Sequence, residues 1–215
     1  MIDLLKLLFP PKCMLCGRLL GEEQEICAAC REKVLLNTAP PRVENGAFFD
    51  KAAAGLWYEN DVRKAIHGLK YREKQSYARP LARVMAYTVR HKLEEDVDII
   101  TFVPTNAATL RKRGYNQAEL LAQELAAMLD VPCLPTLEKT RDTNPMHGLR
   151  PEERRANVLG AYRLCCSAET VAGKRVLVAD DILTTGSTLS ECARMLKTAG
   201  AVRVLCVCAA AARKS

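Results

Sequence analysis

Two adjacent carboxylates, placed where an apolar run meets a cluster of hydroxyls, are the residues of this sequence best suited to chemistry. They are Asp180 and Asp181, in the stretch VLVADDILTTGSTL at 176–189. Neighbouring acids can hold sugar hydroxyls or a divalent cation. A helix that begins directly after a glycine offers unpaired backbone N–H groups to a phosphate. The combination predicts a site for a phosphorylated sugar.

Other interpretations of this stretch are weaker. A Walker B strand needs a partner G-x-x-x-x-G-K-[ST], and a dinucleotide site needs G-x-G-x-x-G; neither pattern occurs in the sequence. A solvated acidic turn is a further alternative, but the strand–turn–helix context argues against it. In the sugar-phosphate interpretation, Gly186 lets the backbone approach the ligand closely. Hydroxyl donors come from Thr184, Thr185, Ser187 and Thr188.

A second pattern, C-x2-C-x10-C-x2-C, lies near the N-terminus at Cys13, Cys16, Cys27 and Cys30. Two such pairs in one short segment predict a tetrahedral zinc site with four thiolate ligands. Because no ligand position is left open, the zinc is expected to be structural. A redox role is the alternative, since C-x-x-C also occurs in thioredoxin-like proteins. The other six cysteines follow no ligand spacing and are expected to be buried thiols.

The formal net charge of +7 is concentrated in one segment. Residues 61–92 contain nine Lys or Arg and two acids, an excess (9 − 2 = 7) equal to that of the whole chain. Such a segment attracts polyanions, including single-stranded DNA, although a solvated helix face is an equally ordinary interpretation. Four aromatic residues in or near it could stack on bases or belong to the core: Trp57, Tyr58, Tyr71 and Tyr77.

Strand-like and helical patterns alternate along the rest of the chain. Strands are predicted at 48–59, 97–104, 174–180 and 201–211, and helices at about 61–71, 77–93, 116–130 and 187–200. Asn116 is the predicted N-cap of its helix, with Glu119 at the capping-box position. The polar stretch 139–157 is predicted to be a loop. This alternation predicts an α/β fold with a mainly parallel sheet flanked by helices.

The chain is expected to contain a small zinc module and connector at 1–45 and one larger domain at 46–215. Ligands of such sheets bind at the carboxyl ends of the strands, so residues 103–117 and 180–188 are expected to share the site. No apolar run reaches the roughly 18–20 residues that span a bilayer. The N-terminal MIDLLKLLFPP is expected to form a short amphipathic turn of helix, and the protein is expected to be cytoplasmic.

The stretch VLVADDILTTGST resembles the signature of type I phosphoribosyltransferases at every position. The resemblance implies that residues 184–188 hold the 5-phosphate of phosphoribosyl pyrophosphate (PRPP). It also implies that Asp180 and Asp181 are the catalytic pair, meeting the ribose hydroxyls together with a Mg²⁺ shared with the pyrophosphate.

Further motifs resemble the ComF family, which is associated with DNA uptake in natural transformation. These are the four-cysteine module, GLKYREK at 68–74 and VPTNAATLRKRGYNQAELLA at 103–122. The resemblance implies a pyrophosphate loop at 103–105 and a mobile hood at 139–157. Relatives usually carry a glutamine near Met146, where this chain departs; the alternative for 139–157 is a solvated loop without a catalytic role. The implied additional PRPP contacts are Val103, Pro104, Thr105, Arg111, Arg113, Asn116, Gln117, Lys70, Arg141 and Arg154.

Two functional hypotheses follow from the sequence. In the first, the protein binds PRPP and supports DNA uptake, either transferring the phosphoribosyl group with release of pyrophosphate or acting as a PRPP-dependent sensor. In the second, it is a non-catalytic accessory factor that receives single-stranded DNA, with PRPP as a regulator or vestigial ligand. Other competence proteins are expected partners. No sequence element that would read a particular nucleobase is identified.

Overall fold

The computed structural model describes residues 12–21, 26–30, 32, 40, 43–44, 47–69, 72–143 and 150–213. The expected amphipathic turn at 1–11, Lys70, Tyr71 and Met146 lie outside these residues. The described part is dominated by one five-stranded sheet with the strand order β1-β2-β7-β6-β3. Its strands are β1 (Val43–Glu44), β2 (Lys51–Trp57), β3 (Ile99–Phe102), β6 (Arg175–Leu183) and β7 (Arg203–Ala211).

All pairings in this sheet are parallel except that of β1 with β2. The two central strands, β6 and β7, carry near-continuous apolar runs, as expected for strands that are covered on both faces. Every residue of β7 from Val204 onward is buried. A separate antiparallel ribbon consists of β4 (Leu137–Lys139) and β5 (Tyr162–Leu164).

Six α-helices within 47–69, 72–143 and 150–213 flank the strands: α1 (Asn60–Gly68), α2 (Ala78–Thr88), α3 (Ala107–Arg113), α4 (Gln117–Leu129), α5 (Pro151–Val158) and α6 (Ser187–Thr198). A π-helical turn, Val89–Leu93, continues α2, and 3₁₀ turns lie at Arg72–Tyr77 and Ala168–Thr170. Helices α2 and α4 pack on each other and on the sheet, whereas α6 packs on α5, on β5 and on the central strands. The structure therefore has the predicted α/β class.

The structure corrects the sequence predictions at several places. The stretch predicted as a loop at 139–157 contains the helix α5, at whose start the backbone N–H of Arg150 donates to the carboxylate of Glu153 at 2.7 Å. Asn116 does cap α4, but Glu119 accepts a hydrogen bond from Gln123 instead of completing a capping box. Among the six cysteines expected to be buried, Cys165 is exposed. No helix among the described residues has the length and apolar character to cross a membrane.

Candidate ligand-binding site and zinc cluster

Asp180 and Asp181 lie on β6 directly after the point where its pairing with β3 ends. The pairing of β3 with β6 ends at Phe102 and Ala179, and the N–H of Val103 then donates to the carbonyl of Ala179 at 3.0 Å. Strand β6 continues beside β7 to Leu183, three residues further than the sequence predicted. The two acids are therefore inside a strand and not at its end. They border the opening that β3 leaves when its chain turns away.

A cavity of about 220 Å³ occupies this opening. Several predicted site residues that are distant in sequence line it together. The predicted members are Val103, Pro104, Thr105, Asn116, Gln117, Asp180, Asp181 and Thr188. Ala118 and three residues that were not predicted complete the lining: Lys139, Thr143 and Tyr162. The carboxyl ends of β3 and β6 thus meet at one cavity, as the rule for parallel sheets requires.

The acid pair is electrostatically strained without a ligand. Burial raises the pKa of Asp180 well above its ordinary value, and the neighbouring Asp181 raises it further. Asp180 lines the cavity and is half-buried. The backbone N–H of Asp181 donates to Oδ1 of Asp180 at 2.8 Å and offsets some of this cost. Two carboxylates this close favour a bound cation or ligand hydroxyl groups.

The loop after β6 brings the start of α6 to the edge of the same cavity. Gly186 is the N-cap of α6 and has a φ of 75°, a left-handed conformation that favours glycine. The hydroxyls of Thr185 and Ser187 lie 2.8 Å apart. Thr188 lines the cavity of the acids, whereas Thr185, Gly186 and Ser187 line an adjacent cavity of about 360 Å³. Thr184 is exposed and lines neither cavity.

Asn116 and Gln117 connect the loop after β3 to helix α4. The Asn116 side chain caps α4 by accepting from the N–H of Ala118 at 3.1 Å, and its amide donates to the carbonyl of Val103 at 2.9 Å. It therefore fixes the loop and the helix together. Gln117 accepts from Arg113 through Oε1, but its buried Nε2 finds no hydrogen-bond partner among the described residues. Such an unsatisfied donor indicates a missing acceptor, such as a ligand oxygen.

The predicted arginines do not line this cavity. Arg111 is exposed on α3, and the guanidinium of Arg113 donates to Oε1 of Gln117. The Arg141 guanidinium donates to the carbonyls of Asn157 at 3.0 Å and Leu159 at 2.8 Å, so it closes the C-terminal end of α5. Arg154 lies half-buried on α5. A contact between these arginines and a ligand stays a prediction.

Lys139 and Tyr162 were missed because no pattern in the sequence predicts the ribbon that carries them. They are register partners at the last pair of β4 and β5. Each of these strands has three residues, and 22 residues separate Lys139 from Tyr162, since 162 − 139 − 1 = 22. Strands this short show no alternation that could be recognised in one sequence.

The four N-terminal cysteines form a compact cluster. The Sγ atoms of Cys13, Cys16, Cys27 and Cys30 all lie within 4.8 Å of one another, and those of Cys16 and Cys27 are 3.7 Å apart. Thiolates at about 2.3 Å from one tetrahedral zinc lie roughly 3.8 Å from each other, so this donor set fits zinc. The chain supplies only four cysteines in this segment, which is the ligand set of a single ion.

The backbone around Cys13 favours its thiolate form, whereas burial raises the pKa of Cys30. Burial by itself raises the pKa of Cys13, but hydrogen bonds from the backbone of Cys16, Cys27 and Leu15 outweigh it and lower the pKa to about 7. The N–H of Cys27 donates to Sγ of Cys13 at 3.4 Å. These N–H···S bonds orient the ligands in the way that surrounding hydrogen bonds do at metal sites.

Comparisons with known proteins define the class. Residues 107–215 match the family described as "Phosphoribosyl transferase domain", and residues 4–42 match the one described as "Double zinc ribbon domain". The fold, the acid pair and the four-cysteine cluster thus define a phosphoribosyltransferase-type protein with an N-terminal zinc ribbon. The chain belongs to the ComF family.

Two relatives illustrate this membership. "Competence protein F" of Haemophilus influenzae is 32% identical over 196 residues, which is 88% of this chain and 80% of the relative. "DNA utilization protein YhgH" of Salmonella typhimurium is 30% identical over 211 residues, 91% of this chain and 89% of the relative.

Among solved structures, the glutamine PRPP amidotransferase of B. subtilis is 22% identical, with a TM-score of 0.40 over 62% of this chain and 26% of that chain.

Proposed function

We propose that the protein binds PRPP in the cavity between β3 and β6 and that PRPP binding serves its role in DNA uptake. The observation that carries the proposal is the convergence at one cavity of the acid pair, the loop at 103–105, Thr188 at the start of α6, and Gln117 with its unsatisfied amide. These groups match the parts of PRPP. Carboxylates suit ribose hydroxyls, and N–H and hydroxyl donors suit phosphoryl oxygens.

Each part of the cavity has a proposed role. Asp180 and Asp181 hold the ribose, and the N-terminus of α6 with its hydroxyls holds the 5-phosphate. The loop at 103–105, fixed by Asn116, approaches the pyrophosphate together with Gln117. Mg²⁺ fits oxygen donors such as the carboxylates of Asp180 and Asp181, and when bound it would screen the pyrophosphate charge.

The transfer reaction itself needs no protein nucleophile. The bond between C1 of the ribose and the pyrophosphate oxygen breaks, its electron pair leaves with pyrophosphate, and an acceptor atom forms the new bond to C1. The protein contributes by positioning the ribose and stabilising the developing charges. If no acceptor binds, the protein would act as a PRPP sensor, because the same contacts hold PRPP although its phosphoribosyl group is not transferred.

Thermal unfolding with and without PRPP and Mg²⁺ tests the binding. We expect PRPP to raise Tm in the wild type, by mass action, and to leave Tm unchanged in Asp180→Ala/Asp181→Ala. The matched control is Asp96→Ala, an 89% exposed side chain at the opposite end of the sheet, which should keep the wild-type shift. An equal shift in the double variant would refute the assignment. Release of pyrophosphate on addition of candidate bases distinguishes transfer from binding alone.

Single-stranded DNA is a second candidate ligand, and the names of the relatives together with one surface favour it. The exposed stripe of α2 and the following π-helical turn consists of Arg79, Arg83, Tyr87, Arg90 and His91. Tyr87 is 59% exposed, and its ring lies 4.2 Å from that of His91. Aromatic rings among cations are the usual platform for single-stranded nucleic acids.

The aromatic residues singled out in the sequence are less suitable for stacking. Trp57, Tyr58 and Tyr77 are all half-buried. The guanidinium of Arg213 lies 4.5 Å from the centroid of Trp57 and covers one face of the indole ring. Tyr87 thus replaces them as the stacking residue of the proposed surface.

A titration of labelled single strands at about 50 and 200 mM salt tests this surface. We expect affinity to fall with salt, and Tyr87→Ala to weaken binding by about tenfold. Arg83→Gln should reduce the salt dependence, whereas Arg163→Gln, an exposed arginine on β5, should not. An affinity that does not change with salt, or an equal reduction of the salt dependence in both arginine variants, would exclude this surface.

The proposed cytoplasmic location agrees with ten free cysteines, which a reducing compartment maintains.

A further inference from the structure

The wall of the cavity formed by the β4–β5 ribbon carries a cation that the established motifs do not account for. Lys139 and Tyr162 face each other in register at the end of the ribbon, and both line the cavity of Asp180 and Asp181. The Lys139 ammonium lies 5.8 Å from the centroid of the Tyr162 ring. The ribbon therefore presents one ammonium group to the space where the ligand is proposed to bind.

The protein holds Lys139 in place and compensates its charge only in part. Its Nζ donates to the hydroxyl of Thr143 at 2.8 Å, and the charge of Asp142 raises the pKa of Lys139 without overcoming the lowering by burial. The side chain is half-buried. A partly desolvated ammonium whose charge is only partly compensated is costly, and functional sites retain such groups when a ligand supplies the opposite charge.

The neighbours of Lys139 place it between the two proposed phosphoryl ends. On one side, Tyr162 lines the cavity together with Thr188, which lies at the start of α6. On the other side, Asp142 next to Thr143 accepts a hydrogen bond from Asn106 at 2.8 Å, directly after the loop at 103–105. Both the 5-phosphate and the pyrophosphate of bound PRPP would then lie near the Lys139 ammonium.

We propose that Lys139 is a ligand-binding residue that contacts a phosphoryl group of the bound sugar phosphate, with Thr143 and Tyr162 orienting its ammonium. This inference rests on the proposed PRPP site and adds a contact to it. Burial also lowers the pKa of Lys139, as expected for an ammonium that is charged at neutral pH but lacks a full counter-ion. A phosphoryl group would give the Lys139 ammonium a close anionic partner.

Calorimetric titration with PRPP and Mg²⁺ tests the contact in three variants. Lys139→Met removes the charge at similar length, Lys139→Arg retains it, and Lys174→Met removes an exposed lysine that does not line the cavity. We expect Lys139→Met to weaken PRPP binding by about 10- to 100-fold, the usual effect of losing a charge-assisted hydrogen bond. Lys139→Arg should recover most of the affinity, and Lys174→Met should bind like the wild type.

Two fragments identify the phosphoryl group that is contacted. A selective loss for ribose 5-phosphate in Lys139→Met assigns the 5-phosphate, and a selective loss for pyrophosphate with Mg²⁺ assigns the diphosphate. Unliganded Lys139→Met should unfold at or above the wild-type Tm, which separates a binding role from a structural one. Wild-type affinity of Lys139→Met for PRPP would overturn the inference alone. Failure of the wild type and of Lys174→Met to bind PRPP would overturn the proposed function as well.

Discussion

The backbone N–H of Asp181 donates a hydrogen bond of 2.8 Å to the carboxylate of Asp180, so the main chain of one acid orients the side chain of the other. This bond orients the carboxylate of Asp180, whose ionisation is disfavoured by burial and by the neighbouring Asp181. Their arrangement is unfavourable for the empty protein and suited to a ligand that brings hydroxyls or a cation. Stability and ligand binding are therefore expected to oppose each other at this position.

Asp180→Asn is expected to stabilise the unliganded protein at neutral and alkaline pH. The pKa of Asp180 is raised by folding, so its contribution to stability is present at low pH and is lost as pH rises through the folded-state pKa. Asparagine keeps an oxygen that can accept from Asp181 and never ionises. We expect a Tm increase of about 2–4 °C at pH 8, equivalent to about 1 kcal/mol, that shrinks toward pH 4.

Thermal unfolding from pH 4 to pH 8 measures this effect. Asp96→Asn is the control, because its side chain is 89% exposed and should give a smaller change. A Tm of Asp180→Asn at or below the wild-type value at pH 8 would contradict the expectation.

The part of the site that follows local sequence rules was predictable, and the part that depends on chain packing was not. Asp180, Thr188 and Asn116 occur in contiguous motifs, and the rule for carboxyl ends of parallel strands predicted that they meet. Lys139 lies on a three-residue strand whose partner is distant in sequence. Arg141 was selected for its charge, but its guanidinium binds the terminal carbonyls of α5, a choice that only the packed structure determines.

Gly55 in β2 is expected to be intolerant of any side chain. A Cβ at this position would lie 2.3 Å from Cγ1 of Val84 and 3.0 Å from Oγ1 of Thr88, because helix α2 packs directly on the strand. Gly55→Ala should lower the free energy of unfolding by about 1–3 kcal/mol through overpacking. Urea unfolding checks the value.

Two matched variants separate overpacking from a general glycine effect. Gly21→Ala places its Cβ in open space and should change stability little. Val84→Ala in the Gly55→Ala background removes the clashing methyl and should recover part of the loss. No recovery in the double variant would show that contact with Val84 is not the cause.

The purified protein is expected to contain one zinc ion per chain. The matched family is described as a double zinc ribbon, but this chain supplies four thiolates in that segment, enough for one tetrahedral site. Zinc analysis by native mass spectrometry should give one ion for the wild type and for Cys165→Ser. Cys30→Ser should lose the ion, because removing a buried ligand opens the site. Two ions in the wild type, or an unchanged content in Cys30→Ser, would disprove the single site.

Asp98 is expected to contribute stability that acid removes. Its carboxylate accepts from the guanidinium of Arg175 and from the backbone N–H of the same residue, both at 2.8 Å, joining the starts of β3 and β6. These hydrogen bonds lower the pKa of Asp98 to about 2. A depressed carboxyl pKa stabilises the fold above the unfolded-state value, and this stabilisation is lost as pH falls toward the folded value.

Comparison of Asp98→Asn with the wild type between pH 2 and pH 6 measures this contribution. The variant should have the lower Tm at pH 6, and the two curves should converge as pH falls from about 4 toward 2, where the wild-type carboxylate takes up its proton. Asp61→Asn, which removes a surface pair with Lys64, should follow the wild-type curve, since exposed pairs contribute little. If Tm of Asp98→Asn and of the wild type differed by the same amount at every pH, ionisation of Asp98 would not contribute to stability. A pH-independent difference can only come from lost packing or hydrogen-bond geometry.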